Sequence, residues 1–370
     1  MIDLSPFDIA LFAAAIRLAA PLLLAALGEL VSERAGVINI GLDGMMLGGA
    51  FTGFLGVHAS GSPVVGLLTG IAGGLLIGAI MALFAVSLGG DQIVVGVAIN
   101  LLVGGATLFL FRLLFSGQPQ TERMSVWSVP FLSDIPVIGP ILFTQLPIVY
   151  VALLLVPSVA LLLTRTRLGL RIRATGELPV AVTAAGGNPQ RTQWLAVLTC
   201  AALAGLGGAF LSVVQLGLFR ENMTAGRGFL ALAAVVFGRW RPVGVLLACL
   251  VFGFTDALQL RLQSVATLPW ALWAVIAVAG IGLIALGLRR LRAGEGPGRP
   301  TIAHVAVMAA GVAVVLVGVT LAVVTPTIKA PAQLWLSMPY VMSLVVLAVA
   351  GRTTRAPSMI GRPVGSATQV

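Results

Sequence analysis

Apolar runs of about 18 residues or more recur along this chain, and each is long enough to cross the ~30 Å hydrocarbon core of a bilayer. The runs are continuous and do not alternate apolar with polar residues, which favours helices over the strands of a transmembrane barrel. Because 59% of residues are apolar and only 9% are charged, polar groups are too few to cover a water-soluble globule. The sequence therefore predicts an all-α fold, a polytopic transmembrane helical bundle.

Eleven candidate spans can be drawn, each with boundaries good to about 2–4 residues. They are residues 8–30, 36–57, 63–88, 92–116, 146–164, 193–215, 222–238, 241–261, 268–288, 304–324 and 335–350. The second and seventh are short and rich in Gly, so we expect broken or re-entrant helices there and about 9 to 11 spans in all. The first run lacks a basic leader, which predicts a retained span rather than a signal peptide.

Basic residues set the predicted orientation. The net charge of +10 would suggest nucleic acid for a soluble protein, but in a membrane protein basic residues mark cytoplasmic loops. Placing the C-terminal tail inside also puts the loops at 165–191, 239–241 and 289–302 inside, and most of the 22 basic residues with them. No nucleic-acid partner is therefore expected. The N-terminus is then outside, together with a loop of about 30 residues before residue 146.

The most polar stretch is RIRATGELPVAVTAAGGNPQR, residues 171–191. Pro179 suits the first turn of a helix, the run PVAVTAA allows two short helical turns, and Gly186 followed by Gly187 stops them. One interpretation is an ordinary basic loop on the cytoplasmic side. The other is a compact helix offered to a groove on a partner protein, which explains the small residues and the sharp stop.

Two further polar islands lie at predicted membrane depth, at residues 32–51 and 218–240. Each places Asn and paired Gly before a short apolar segment, and this echo predicts an internal repeat with a central site. Intramembrane carboxylates such as Asp43 usually face a cavity. The alternative is that Glu33 and Arg34 are interfacial anchors and that Asp43 pairs with a neighbouring helix.

Asp256 lies inside the next apolar run, where it either lines the same cavity or caps a hydrogen bond with Gln259 or Arg261. A path for a neutral, hydroxyl-rich substrate needs few fixed charges and several amide groups. The predicted pathway residues are Asn39, Asp43, Gln92, Asn100, Asn222 and Asp256.

Several kinds of site are not supported. The only lysine, Lys329, has no Gly-rich approach, so the chain carries no phosphate-binding loop of its own. His58 and His304 are isolated, which argues against a zinc site. Cys200 and Cys249 both lie inside apolar runs, which argues against a disulfide or a metal site. We therefore expect no catalytic residue, no metal and no cofactor in this chain, and no enzyme activity of its own.

Four motifs, in this order, carry a family resemblance. They are GELVSERAGVINIGLDGMMLGGAF, DQIVVGVAINLL, GLRIRATGELPVAVTAAGGNPQR, and ENMTAGRGFLALAAVVFGRWRPVG followed by DALQLRLQ. The chain resembles the membrane permease subunits of bacterial ABC importers, in the ribose-permease-like group that carries nucleosides, simple sugars and branched-chain amino acids, and most of all the nucleoside permeases. The resemblance covers about residues 8–268 and resumes at QLWLSMPYVMSLVVLAVAGRTTRAP.

The resemblance implies that residues 176–189, here called the coupling segment, form the coupling helix that inserts into a separate ATPase subunit. The matching positions are Gly176, Glu177, Pro179, Ala181, Ala184, Ala185, Gly186 and Asn188. The chain departs from the family pattern at Leu178, Val180, Val182 and Gly187, which changes the polar contacts expected with the ATPase. ATP and Mg would be bound by that ATPase, and the other implied partners are a second homologous permease and an extracytoplasmic substrate-binding protein.

The predicted organisation is a permease core over 1–267, an inserted two-span hairpin over 268–330, and a final span with a cytoplasmic tail over 331–370. The resemblance places the protein in the bacterial inner membrane and leaves nucleosides, simple sugars and branched-chain amino acids open as substrates. An ion-coupled secondary transporter is the alternative of another class, with Asp43 and Asp256 as coupling residues. A membrane-embedded enzyme lacks any supporting cluster of His, Asp and Glu.

Overall fold

A computed structural model describes residues 9–264, most of 309–316, and residues 280, 281 and 356–361; within the first range it omits positions 116, 118, 122, 123, 129, 131 and 137. The predicted spans at 268–288, 304–324 and 335–350 therefore lie almost wholly outside the described residues.

Four long helices make up the first half of the described chain. They are α1 (Ile9–Arg34), α2 (Leu42–Ser60), α3 (Pro63–Met81) and α4 (Gln92–Leu114). Proline at the first position starts α3, and Asp91 caps α4 by accepting hydrogen bonds from the amides of Ile93 (2.8 Å) and Val94 (3.1 Å). A π-helical turn, Ala82–Ser87, continues α3 to its end.

The second half begins with a loop that carries a two-stranded ribbon, β1 (Trp127–Ser128) and β2 (Thr144–Gln145), and a short helix, α5 (Ile138–Leu142). The helices that follow are α6 (Pro147–Arg165), α7 (Arg167–Glu177), α8 (Pro179–Ala184), α9 (Pro189–Ala209), α10 (Arg227–Phe237) and α11 (Pro242–Ser264). Like α3, the long helix α9 ends in a π-helical turn, Phe210–Leu216.

Six helical segments among the described residues are long and apolar enough to span a membrane. They are Ile9–Arg34, Pro63–Ser87, Gln92–Leu114, Pro147–Arg165, Pro189–Leu216 and Pro242–Arg261. This finding agrees with the predicted helical membrane bundle. The two segments expected to be irregular are not among these six: α2 is a continuous helix of 19 residues, and α10 has only 11 residues.

Some predicted boundaries were wrong. The second span was expected from residue 36, but α2 begins at Leu42, because side chains from other helices hold the preceding residues in a non-helical bend. The polar loop at 165–191 contains a full helix, α7, which Thr166 caps by accepting from the Gly169 amide (3.0 Å). The helix predicted at 222–238 is limited to α10, since left-handed residues precede it.

The core is built where α2, α3 and α9 touch through glycine. A side chain at Gly205 would strike the carbonyl of Gly70 and the backbone of Gly74, and one at Gly49 would strike Gly205 itself. Close backbone approach of this kind is how helices pack where the surroundings are as apolar as the side chains. These three helices therefore form the centre of the described fold.

The chain forms two compact units, one of residues Met1–Leu258 with Met338–Val370 and the other of Gln259–Ser337. Inside the second unit, a side chain on Gly280 would contact Gly311 and Val315, so two segments of that unit approach closely there. The three-part division at 267 and 330 stays a prediction.

Candidate coupling and translocation sites

Residues 35–41, here called the α1–α2 bend, form a non-helical segment between two long helices, and most of it is buried. Buried backbone groups need hydrogen-bond partners, because an unpaired amide or carbonyl away from water is costly. The bend obtains several of them from side chains. The Ser32 hydroxyl, from α1, donates to the Val37 carbonyl (2.9 Å), and the side-chain amide of Gln193 donates to the Ala35 carbonyl (3.2 Å).

Two predicted pathway residues hold the backbone in and next to this bend. The Gln92 side-chain oxygen accepts from the Ile38 amide (2.8 Å). Asn100 acts twice, accepting from the Gly44 amide (2.7 Å) and donating to the Ile40 carbonyl (2.9 Å). Both side chains therefore stabilise the entry to α2, whatever further role they have in a path.

Asn39 lies at the centre of a buried polar cluster. Its backbone amide donates to Glu29 Oε1 (2.9 Å), and its side-chain NH2 contacts the sulfur atoms of Met45 (3.2 Å) and Cys200 (3.5 Å). Its side-chain oxygen is buried without a hydrogen-bond partner among the described residues. The Cys200 thiol donates to Glu29 Oε2 (3.2 Å). Sequence reasoning missed Glu29, although a carboxylate inside a predicted apolar span is a signal.

Asp43 joins the two polar islands. Its carboxylate accepts from the Gly228 amide (2.9 Å) and from the Thr224 hydroxyl (3.0 Å), both at the start of α10. An anion at a helix N-terminus is favourable, because the first amides have no partner within the helix. Asp43 therefore pairs with a neighbouring helix, as one of the two interpretations expected.

The remaining two pathway candidates lie near the start of α10. Asp256 forms an ion pair with Arg227 (3.8 Å), and both side chains are about a quarter exposed. Asn222 is exposed in the turn before α10, with a left-handed backbone (φ 52°) that Asn tolerates better than most residues. Asn39, Gln92 and Asn100 thus lie at the bend and the entry to α2, whereas Asp43 and Asp256 both contact residues at or just before the start of α10, close in sequence to Asn222.

The corner between α10 and α11 is fixed to the end of α1. The Trp240 indole N–H donates to Glu33 Oε2 (2.5 Å), and the Arg34 guanidinium donates to the Trp240 carbonyl (2.6 Å). Arg239 and Trp240 both have positive φ, a conformation that non-glycine residues rarely adopt. Glu33 and Arg34 therefore bind a specific corner of the fold and are more than interfacial anchors.

An exposed ion pair lies at the opposite end of the helices. Arg112 Nε donates to Glu221 Oε1 (2.9 Å), and this hydrogen bond lowers the pKa of Glu221. Beside it, Arg112 and one face of α4 border an open depression of about 370 Å³, lined also by Gly105, Leu108, Phe109 and Leu113.

The coupling segment contains the predicted short helix, α8, and ends as expected at Gly186 (φ 77°). Pro179 and Val182 are buried and anchor this helix, whereas Leu178 and Val180 are 58% and 45% exposed. The small side chains of this segment are exposed too, at Ala181, Ala184 and Ala185. Asn188 caps α9 by accepting from the Arg191 amide (3.0 Å). The segment therefore presents small and apolar side chains outward from a firmly seated helix.

Comparison with known proteins decides the family. A sequence profile of the branched-chain amino acid transport system / permease component family matches residues 11–287. The chain belongs to this family. The permease is thus a multi-pass helical membrane protein, and ABC transporters of this kind work with an ATPase and a substrate-binding protein. Family membership also favours ATP-driven transport over the ion-coupled alternative.

Three curated relatives illustrate the similarity. The permease is 42% identical to the guanosine ABC transporter permease protein NupQ of Bacillus subtilis over 257 residues, which are 65% of this chain and 79% of the relative. It is 37% identical to the nucleoside ABC transporter permease protein NupC of Lactococcus lactis, over 64% of this chain and 78% of the relative. It is 40% identical to TsgC13 of Haloferax volcanii, provisionally named a glucose ABC transporter permease, over 70% of this chain and 79% of the relative. No solved structure matches the chain significantly.

Proposed function

We propose that this permease is the membrane subunit of an ATP-driven importer for nucleosides. The similarity to NupQ and NupC, which are named for guanosine and nucleosides, supports this substrate class. Amide and hydroxyl groups around the α1–α2 bend suit a neutral, hydroxyl-rich molecule. Among the buried side chains described at the bend, the Asn39 oxygen is the acceptor that has no protein donor.

The observation that carries the proposal is the exposed apolar surface of α8. Exposing Leu178 and Val180 to water is unfavourable by about 25 cal/mol per Å² of apolar surface, and a partner that covers them recovers this free energy. The buried Pro179 and Val182 fix the helix, so a partner that moves α8 also moves the helices on either side of it. This is the arrangement that a coupling helix requires.

The proposed complex contains two ATPase subunits, which bind ATP and Mg, and a second homologous permease. A substrate-binding protein delivers the nucleoside on the outer face. The basic residues near α7 support a cytoplasmic position for the coupling segment and the C-terminal tail, with the permease in a bacterial inner membrane. Closure of the ATPases around ATP would move the coupling segment and shift the permease between two packed states.

A simple sugar is the second candidate substrate, favoured by the similarity to TsgC13. Nucleosides and sugars share a hydroxyl-rich ribose-like part, and only a nucleoside adds a base that can stack. Isothermal titration calorimetry of guanosine, ribose and glucose with the substrate-binding protein of this importer distinguishes a nucleoside substrate from a sugar.

The decisive experiment is Ala181→Glu in the permease purified with its ATPase, because Ala181 is an exposed residue of α8 that matches the family pattern. We expect the variant to remain folded and inserted but to lose at least about tenfold in affinity for the ATPase, because a charge at the centre of an apolar interface is left desolvated. Affinity is measured by pull-down against graded ATPase concentrations, and coupling by guanosine-stimulated ATP hydrolysis in proteoliposomes.

Leu132→Glu is the matched control, because Leu132 is an exposed apolar residue (40%) of the loop between α4 and α6. It should bind the ATPase as the unchanged chain does. Equal ATPase binding and equal stimulation for Ala181→Glu and the unchanged chain would disprove the assigned role of α8.

A further inference from the structure

A short piece of the C-terminal tail lies against the coupling segment. The Ser358 hydroxyl donates to the Glu177 carbonyl (2.6 Å) and to one oxygen of its carboxylate (3.2 Å). The Ser358 amide reaches the same carboxylate oxygen at 3.4 Å, and the Met359 amide donates to the Gly176 carbonyl (3.0 Å). Glu177 is therefore bound by the chain itself and is not a free charge awaiting the ATPase.

The same piece of tail also contacts the α1–α2 bend. The Gly361 amide donates to the Gly36 carbonyl (3.3 Å), and Ile360 packs on the main core. A turn closed by the Ile360 amide and the Pro357 carbonyl (3.2 Å) keeps the piece compact. Six residues, 356–361, thus contact two cytoplasmic elements that are far apart in sequence.

Those two elements already touch each other. A side chain on Gly176 would strike the carbonyl of Arg34, and one on Gly36 (φ 89°) would meet Gly176 and Met359. The end of α7, the α1–α2 bend and the tail are therefore packed backbone against backbone. From the bend, the hydrogen bonds of Gln92 and Asn100 lead directly into α4.

We propose that residues 356–361 act as a clamp that binds the end of α7 to the α1–α2 bend, with Ser358 as the positioning residue for Glu177. The clamp would transmit displacement of the coupling segment to the bend and, through it, to the residues at the start of α2. This inference rests on the proposed function, since it assigns a route to the motion that the ATPase drives.

Two truncations test the clamp in the complete complex in proteoliposomes. A chain that ends at Gly361 keeps the clamp, and a chain that ends at Arg355 removes it. We expect the first to behave as the full chain. The second should retain the ATPase and its basal hydrolysis but lose most of the guanosine-stimulated hydrolysis and uptake.

Point variants remain informative if the shorter chain fails to fold. Ser358→Ala should reduce guanosine stimulation about fivefold with basal hydrolysis unchanged, as expected for loss of one net hydrogen bond. Ser358→Thr, which keeps the hydroxyl, should restore it, and Ser366→Ala is the control outside the clamp. A purely structural role for Ser358 would instead lower the yield and the basal rate together.

A cross-link separates a permanent clamp from one that opens. Cysteines introduced at Glu177 and Ser358 should form a disulfide, and the oxidised complex should still import guanosine, because the clamp stays closed through the cycle. Loss of import on oxidation, restored by a reductant, would overturn the proposal.

Failure of the clamp and failure of the proposed function give different results. If the full chain neither binds an ATPase nor shows stimulated hydrolysis, the proposed function is wrong. If the full chain couples, but the chain ending at Arg355 couples equally well or loses the ATPase altogether, only the clamp is wrong.

Discussion

Individual carboxylates are the most informative residues of this permease, because each one buried in the described part has a definite donor. Glu29 accepts from the Asn39 amide and the Cys200 thiol, Glu33 from Trp240, and Asp43 from Thr224 and Gly228. A buried acid that loses its donor bears the full desolvation cost. Stability should therefore depend more on these donors than on the exposed Arg112–Glu221 pair, which solvent screens.

Trp240→Phe tests this at a single hydrogen bond. The phenyl ring preserves most of the apolar contact but leaves Glu33 without the indole donor, so we expect a loss of about 1–3 kcal/mol in unfolding free energy. Both cysteines, Cys200 and Cys249, are free and buried, so a thiol-reactive fluorescent dye reports unfolding.

Trp194→Phe is the control for that variant. Its indole N–H donates to the neutral Ser87 hydroxyl (2.8 Å) near solvent, where water can replace the donor. The loss should stay below about 1 kcal/mol. Equal losses for the two variants would show that the Glu33 hydrogen bond adds no special stability.

At the scale of the element, the glycines of α2, α3 and α9 determine how closely these helices pack. Gly205→Ala places a methyl group against backbone atoms of Gly70 and Gly74 that cannot move away easily. We expect a loss of about 1–3 kcal/mol, as for other overpacked cores. The measurement is the same thiol-labelling assay.

Gly104→Ala in α4 is the matched control, because no atom lies within 4 Å of a Cβ at that position. It should be neutral or stabilising by up to about 1 kcal/mol, since Ala favours helix. A destabilising effect of Gly104→Ala comparable to that of Gly205→Ala would contradict the proposed distinction between packed and open glycines.

Most of the helices were predictable from apolar runs and from their start signals, such as Pro63, Asp91, Pro147 and Asn188. The α1–α2 bend was not, because its conformation depends on Glu29, Gln92 and Asn100, which belong to other helices. The helix α7 was missed because its basic, polar sequence has few apolar residues and gains its stability from packing against α1 and α6. Long-range side-chain contacts of this kind leave no periodic pattern in a single sequence.

At the scale of the whole molecule, the orientation of the helices can be tested by chemical labelling. The buried native thiols should give no background, so cysteine introduced at Ala184 or at Ser128 can be followed alone. We expect a membrane-impermeant maleimide to label Ala184→Cys only from the cytoplasmic side and Ser128→Cys only from outside. Labelling of both from the same side would disprove the predicted topology, and the opposite labelling pattern would show that the orientation is reversed.

The family and the short helix α8 were accessible from the sequence because their motifs are local, whereas the coupling role of α8 stays a prediction. The partners of the pathway candidates were not accessible. Asp43 and Gly228 lie 185 residues apart in the chain, and only the fold shows that they share a hydrogen bond. The predicted roles of all six candidates in a path stay predictions.

The direct backbone contact between α2, α3 and α9 limits where this permease can change shape. Helices separated by long side chains can slide as rotamers rearrange, but three helices in contact through Gly49, Gly70 and Gly205 have no such side chains between them. They should travel as one rigid block during transport. We expect hinges at the rim of that block, such as the turn before α10, where Asn222 and Ala225 have left-handed backbones.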